Sequence, residues 1–368
     1  MSKLKKLLYI GRPNLGENMF ATPCLDLLSK EYEITFLGAD YTLPAFTGYT
    51  FLKRVLPGCN FGDKNGTLPY ITQTAIKNIL KEGDWYYAYH NDHDTQFLPN
   101  YPEILSLKKY PVLHDKEINI YSNSYSQHFQ LNKGDKDINT GFFLSRTKKY
   151  MLKLQLMSLQ DAQNYDCTVR CPTFVADKFS ENVVVYQGST ESLRKLSTDT
   201  IAKFINIIPE ATYLVTQETA KALNLAEKNI KFLQTSFLTQ NSLTNIIKLF
   251  ETRPKAMIGP DSGLTQLASG YKIPLIWLQS RIVLENVIDA QYKKYCEVYL
   301  KRQLTCKQEC VGCAATKALK TNSLPYGLFK IENVVKDHKE MECYINKTPY
   351  CLQYTQQEVE EIVNLINL

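Results

Sequence analysis

The sequence predicts an α/β protein made of two Rossmann-like halves that face each other across a cleft. Three observations predict it. Residues 6–89 alternate short apolar strands with helical stretches, residues 182–278 repeat that alternation, and an irregular linker at 167–181 separates the two series. Strands and helices alternating in this way build parallel sheets with helices on both faces. The implied boundaries are 1–170 for the first half, 171–350 for the second, and 351–368 for a terminal helix packing back on a domain core.

In the first half, residues 6–10 form a short apolar strand. The glycine-bounded loop Gly11-Arg12-Pro13-Asn14-Leu15-Gly16 follows. Glu17 then opens a helix whose apolar positions Met19, Phe20, Cys24, Leu27 and Leu28 keep a helical period. Residues 32–37 and 51–56 read as the next strands, 71–80 as a helix and 85–89 as a strand. The stretch 91–125 is rich in Tyr, Pro and Asn and predicts long loops of the kind that carry recognition. A helix is expected over 147–164.

The second half opens with a strand at 183–186 and a Gln187-Gly188-Ser189 turn. Helices are expected at 198–208, 218–226 and 243–250, and strands at 212–215 and 230–233. A charged, helix-like segment at 246–255 leads into a buried strand ending at 256–258, after which Gly259 and Pro260 turn the chain. From Ser262 the pattern is helical again, and 275–278 is apolar. Residues 356–368 carry Val359, Ile362, Val363 and Ile366 on one helical face. No short-period repeat is visible.

With 368 residues the chain is long enough for two ordinary domains, each with its own core. Its 44% hydrophobic and 22% charged residues are those of a globular protein in water. No apolar run is long enough to cross a membrane, and residues 7–10 are too short for a signal-peptide core, so a cytoplasmic location is the default. A net charge of +6 suits an anionic substrate without arguing for nucleic acid. Ten cysteines without a secretion signal are expected as thiols or metal ligands.

The stretch from Met257 to Pro274 is strand, turn and helix. Such a unit aims the first amides of a helix, and the positive end of its dipole, at whatever lies above the strand, which favours a phosphate. The same residues also fit an ordinary tight turn with an Asp cap.

These residues, taken with three other blocks, resemble the family-nine glycosyltransferases, whose best-known members are ADP-heptose:lipopolysaccharide heptosyltransferases. The matching blocks are Leu15-Gly16-Glu17-Asn18-Met19-Phe20-Ala21-Thr22-Pro23, then Gln187-Gly188-Ser189 with Arg194-Lys195-Leu196-Ser197. Asp261-Ser262-Gly263 through Ile273-Pro274 follows, and Cys351-Leu352 precedes the last helix. They occur in the family's order over nearly the whole chain. Two positions depart from it: Glu17 stands where the family has Asp, and Gln266 where it has His.

The resemblance implies the GT-B fold and an inverting transfer in which no metal or cofactor takes part. Glu17 would be the general base, positioned proton transfer contributing about 10²–10⁴-fold; alternatively it is a first-turn acid that stabilises its helix. Donor binding would fall to Ser189, Lys195, Glu218, Asp261, Ser262, Gly263 and Gln266. Lys195 would offset the charge of the leaving diphosphate, with Arg194 competing for that role, and a small residue at 263 would let the backbone come close. Arg12, Asn14, His90 and His93 are acceptor-side candidates. His90 and His93 lack the spacing of a helical metal pair.

Cys310, Cys313, Cys343 and Cys351, with Cys306 to spare, have the close pairing and distant return of a structural Zn or Fe site. They are also similar to the iron-binding cysteine insertion of bacterial autotransporter heptosyltransferases. Free cysteines in a loop-rich tail are the alternative. The partners expected are a nucleotide-sugar donor, ADP-heptose by resemblance, and a glycan, protein or nucleic-acid acceptor. A nucleotide-sugar epimerase and a non-catalytic nucleotide-sugar-binding protein stay open as alternatives. A dinucleotide-binding oxidoreductase is disfavoured because no Gly-x-Gly-x-x-Gly follows the first strand.

Overall fold

Two parallel sheets organise the chain. In the computed structural model the described residues are 4–11, 14–58, 74, 77–83, 85–89, 107–109, 146–188, 195–235, 238–278, 296–299 and 352–367. The first sheet contains β1 (Lys5–Ile10), β2 (Tyr32–Gly38), β3 (Leu52–Pro57), β4 (Trp85–Tyr89) and β5 (Lys108–Lys109), in the order β3-β2-β1-β4-β5. The second contains β6 (Ser180–Tyr186), β7 (Thr212–Val215), β8 (Phe232–Gln234), β9 (Pro254–Gly259), β10 (Leu275–Leu278) and β11 (Cys296–Tyr299), in the order β11-β10-β9-β6-β7-β8. Every strand pair is parallel.

Each sheet is therefore wound outward from a central strand in both directions. The order reverses between β1 and β4 in the first sheet and between β6 and β9 in the second. In open α/β sheets ligands bind beyond the carboxyl ends of the strands at such reversals. The strands are buried runs, all four residues of β7 and of β10 being buried, as sheets covered on both faces require.

The covering helices are α1 (Leu15–Leu28), α2 (Arg146–Lys153), α3 (Leu159–Asn164), α4 (Thr198–Ile207), α5 (Gln217–Ala222), α6 (Gln240–Glu251), α7 (Gly263–Gly270) and α8 (Gln356–Asn364). One apolar cluster runs from Leu7, Met19 and Phe36 beside the first sheet to Val184, Leu243, Met257 and Trp277 beside the second. α1 packs against α7, and α6 packs against the 3-10 turn at Asp40–Ala45. A second cluster places Val359, Ile362 and Val363 of α8 on Leu196 and Phe204 at α4. A capping box between Thr355 and Glu358 starts α8.

Several expected boundaries move. The helix expected over 147–164 is two helices, α2 and α3. Gln155 takes the left-handed conformation (φ 54°) between them, and the Ser158 side chain caps α3. The helix-like reading of 246–255 is corrected. α6 stops at Glu251, Arg253 turns at φ 51°, and β9 has begun by Pro254. The helix expected at 218–226 ends at Ala222, with Asn224 at φ 52°, and the strand expected at 230–233 pairs only from Phe232. β5 and β11 were not expected. Of the helix expected at 71–80, residues 74 and 77–80 are described and helical.

The Thr22-Pro23 pair explains itself physically. Pro23 lies inside α1 and has no amide, so the Met19 carbonyl loses its helical donor. The Thr22 hydroxyl donates to that carbonyl at 2.7 Å. The same oxygen accepts the Arg170 amide at 3.1 Å, which ties the linker to α1. The linker is held again where Tyr49 donates to the Arg170 carbonyl at 2.7 Å and where the Arg170 guanidinium meets Asp26 at 2.8 Å.

Candidate functional site

The described members of the expected site lie just beyond the carboxyl ends of β1, β6, β7 and β9 or in the helices that follow β7 and β9. After β1, Asn14 accepts the Glu17 amide at 3.0 Å and caps α1, so the loop residue expected on the acceptor side also starts the helix. Glu17 is half-buried in the first turn, where the helix dipole favours its charge. The Tyr150 hydroxyl, from α2, donates to Glu17 Oε2 at 2.9 Å. The next residue, Asn18, is completely buried. A side chain at Gly11 would meet Asn18 Oδ1 at 2.8 Å and the Phe36 ring at 2.7 Å, so that glycine makes room for both.

After β9 the helix cap is Ser262, not Asp261. Ser262 Oγ accepts the Leu264 amide at 3.1 Å and donates to the Tyr186 hydroxyl at 2.8 Å. One of the amides expected to face a ligand is thus already bonded. Asp261 is buried at the turn. Gly263 touches protein: a Cβ there would lie 2.8 Å from the Gly16 amide nitrogen and 3.2 Å from Leu15 Cβ. What comes close to Gly263 is the first turn of α1, so the turn bearing Glu17 and the turn Asp261-Ser262-Gly263 abut, backbone to backbone.

Gln266 is 1% exposed. Neither its amide oxygen nor its amide nitrogen has a hydrogen-bond partner among the described residues. A buried primary amide left this way costs about 1–3 kcal/mol, so this position is strained chemically although it lies inside a regular helix.

After β6, Gln187 is fully buried, and both its amide nitrogen and its amide oxygen bond to neighbours. It donates to the Leu196 carbonyl at 3.1 Å and to Thr219 Oγ1 at 2.8 Å, and accepts the Thr216 amide at 3.0 Å. Gly188, at φ 118°, bridges to Lys195. Gln187 thereby fixes the segment carrying Lys195 beside the start of α5, which carries Glu218. Lys195 Nζ stands 4.0 Å from Glu218 Oε2, and the Glu218 side chain is 87% exposed. So open a pair contributes little to stability.

Arg12, His90, His93, Ser189, Arg194 and the cysteines Cys306, Cys310, Cys313, Cys343 and Cys351 lie outside the described residues. Among the described residues no group of three or more His, Cys, Asp or Glu side chains could hold a metal ion, and Cys24, Cys167 and Cys171 are thiols outside any disulfide. No helix among them is long and apolar enough to cross a membrane. Sequence reading missed Tyr150, Tyr186, Asn18 and the bracing role of Gln187. The one signal available was a polar residue, Asn18 or Gln187, placed where its neighbours are apolar.

A cavity of about 430 Å³ lies elsewhere, lined by Asp26, Tyr49, Phe51, Arg170 and Phe174 among others. Asp26 is nine residues from Glu17, roughly 13 Å along α1. The Arg170 guanidinium there is already bonded to Asp26, the Thr168 carbonyl and Tyr165, which makes it a clamp on the linker.

No protein-family profile matches the sequence, and no curated protein matches it. Solved structures do. A glycosyl transferase of family 9 from Veillonella parvula superposes with a TM-score of 0.58 at 9% identity, over 100% of this chain and 98% of the other. The fold is settled by that match. This chain has the fold of the family-nine glycosyltransferases. ADP-heptose LPS heptosyltransferase II of E. coli shares this family-nine, GT-B architecture, with a TM-score of 0.53 at 13% identity over 86% of this chain and 98% of that one. So does the iron-containing dodecameric glycosyltransferase TibC of enterotoxigenic E. coli, with a TM-score of 0.51 at 13% identity over 100% and 77%.

Proposed function

We propose that this protein is an inverting, metal-independent glycosyltransferase that moves a sugar from an NDP-sugar to a hydroxyl acceptor, with Glu17 as general base. The observation that carries this reading is the Gly16–Gly263 contact. In a family-nine fold it sets a carboxylate-bearing turn directly against the turn Asp261-Ser262-Gly263 at a strand-order reversal.

In this reading Glu17 takes the proton of the acceptor hydroxyl as the oxygen attacks the anomeric carbon. Attack comes from the face opposite the nucleotide, and the bond from that carbon to the diphosphate oxygen breaks. The diphosphate leaves with the bonding pair. Lys195 and the amides following Asp261 offset its growing charge, which removes the need for a divalent cation. Ser189, Glu218 and Gln266 complete the donor side. Arg12, Asn14, His90 and His93 are the acceptor-side contacts, on a glycan, a protein or a nucleic acid.

The donor proposed first is ADP-heptose. One structure sharing the fold is an E. coli heptosyltransferase holding ADP-2-deoxy-2-fluoro heptose, with a TM-score of 0.52 at 11% identity. Gln266 favours a second reading, a nucleotide-sugar-binding relative without turnover, because an unsatisfied amide marks a ligand contact and not a proton-transfer group. The cysteine group Cys310, Cys313, Cys343 and Cys351 is proposed separately as a structural Zn or Fe site. Metal analysis of protein purified without added metal tests it, with about one equivalent per chain expected from a four-thiolate site.

A thermal-shift screen of nucleoside diphosphates and their sugars tests the main reading. A donor at about 100 times its Kd adds about 2.7 kcal/mol of stability, and hydrolysis or transfer of the stabilising compound then separates enzyme from binder. If no nucleotide in the panel raises the melting temperature, both readings fall.

A further inference from the structure

We propose that the cavity beside the linker, removed from the turns that carry Glu17 and Gly263, is a binding site for a neutral saccharide. The inference does not depend on the role of Glu17. At about 430 Å³ the cavity has the size of a small-molecule site. Its lining comes from three places: Asp26 in the last turn of α1, residues 48–51 just ahead of β3, and linker residues 170–174. Part of that lining is aromatic. Phe174 is 76% exposed, the most exposed large apolar side chain among the described residues. Phe51 is half-buried, and its ring stacks on that of Tyr49 with centroids 4.7 Å apart. Ring faces open to water gain from an apolar surface laid over them.

The rest of the lining is polar, with bonding capacity left over. Arg170 spends Nε on Asp26, Nη1 on the Thr168 carbonyl and Nη2 on the Tyr165 hydroxyl. A guanidinium has five N–H donors, so each terminal nitrogen keeps one more. Asp26 receives Arg170 on Oδ2, and its Oδ1 has no partner among the described residues. The ligand class follows by elimination. A hydrocarbon would cover the rings but strip water from these donors and this oxygen without replacing it. A charged ligand would meet Asp26 and Arg170 already paired at 2.8 Å. The next charges, Glu251 and Lys272 beside Cys171, are again of opposite sign. An uncharged polyhydroxyl ring suits both parts. Its C–H face lies on a phenyl ring, while its hydroxyls donate to the carboxylate and accept from the guanidinium.

The test is an NMR titration of the full chain labelled with ring-carbon-13 phenylalanine, the Phe174 signal being the one missing from Phe174→Ala. Maltose, lactose, gentiobiose and N,N′-diacetylchitobiose are added in turn, with hexanol and N-acetylphenylalaninamide as apolar and peptide controls. At least one sugar should move the Phe174 signal saturably, with a Kd of about 1–10 mM for a site this open to water. Saturation transfer to that sugar should show its affinity falling about tenfold in Phe174→Ala, the size of one lost aromatic contact. If Phe174→Ala does not fold, Phe174→Leu serves for the assignment and the comparison, since it too lacks the ring. The proposal is overturned if none of the four sugars moves the Phe174 signal, or if the bound sugar keeps its affinity in the variant. It is overturned equally if either control binds at Phe174 more tightly than every sugar.

Discussion

Replacing Gln266 by Met should make the protein more stable and less able to bind a nucleotide sugar. Gln266 is 1% exposed on α7, between Leu264 and Leu267 of the apolar cluster. Its two amide atoms have no hydrogen-bond partner among the described residues, and that deficit is worth about 1–3 kcal/mol. Methionine has a similar length and adapts to irregular spaces, and such volume-conserving swaps cost less than about 1.5 kcal/mol. The net expectation is a gain of about 1–2 kcal/mol, or roughly 2–4 °C for each kcal/mol in a domain of 150–250 residues. Urea unfolding reads it as a higher midpoint at an unchanged slope, and donor titration reads the loss of binding. A variant less stable than wild type by more than about 1.5 kcal/mol would refute the reasoning, since the packing cost of the swap does not reach that and a lost amide bond would be needed.

Other substitutions probe the frame around the site. Gly263→Ala brings a methyl to 2.8 Å from the Gly16 nitrogen, so α1 and α7 must part. A loss of about 1–3 kcal/mol is expected in chemical denaturation, and a variant as stable as wild type would contradict the contact. Thr22→Val removes one oxygen that serves both the Met19 carbonyl and the Arg170 amide. The cost should be about 1–3 kcal/mol, one buried and one part-buried backbone group being left unpaired, and a loss below about 0.5 kcal/mol would show that water replaces both bonds. Burial pushes the Cys171 thiol up to about 11 and raises those of Cys24 and the Tyr49 phenol well above their ordinary values. The unfolded chain then releases these protons first, so stability is full below about pH 8.5 and falls as pH rises toward 11. Unfolding midpoints at pH 8 and pH 10.5 check this, and an equal or higher midpoint at pH 10.5 would reverse the sign.

How much of this was legible in the sequence depended on how local its cause was. The strands at Lys5–Ile10, Thr212–Val215 and Leu275–Leu278 hold the apolar runs 7–10, 213–215 and 275–278, buried because both faces are covered, and such runs show in any window. The break between α2 and α3 did not show, because Gln155 carries no sign of the left-handed conformation that ends α2. β5 has two residues, too few for a signal, and the four of β11, Cys-Glu-Val-Tyr, carry a charge where β7 and β10 are apolar. At the candidate site, the strand-turn-helix pattern singled out the Asp261-Ser262-Gly263 turn, and the family resemblance singled out Glu17. Their partners were hidden by distance along the chain: Tyr150 is 133 residues from Glu17, and Tyr186 is 76 from Ser262. Gly263 was legible as a close approach, but the approaching group is Gly16 from the other sheet's layer.

The most direct measurement of the central claim is nucleoside-diphosphate release from a donor that binds both wild type and Glu17→Gln. Glutamine keeps the length and the bond to Tyr150 while removing the ability to take a proton. Donor affinity should stay within about twofold, while release in the presence of acceptor should fall by about 10²–10⁴-fold. Release by Glu17→Gln at the wild-type rate, with the donor bound equally well, would remove Glu17 from the chemistry and leave the two abutting turns as structure alone.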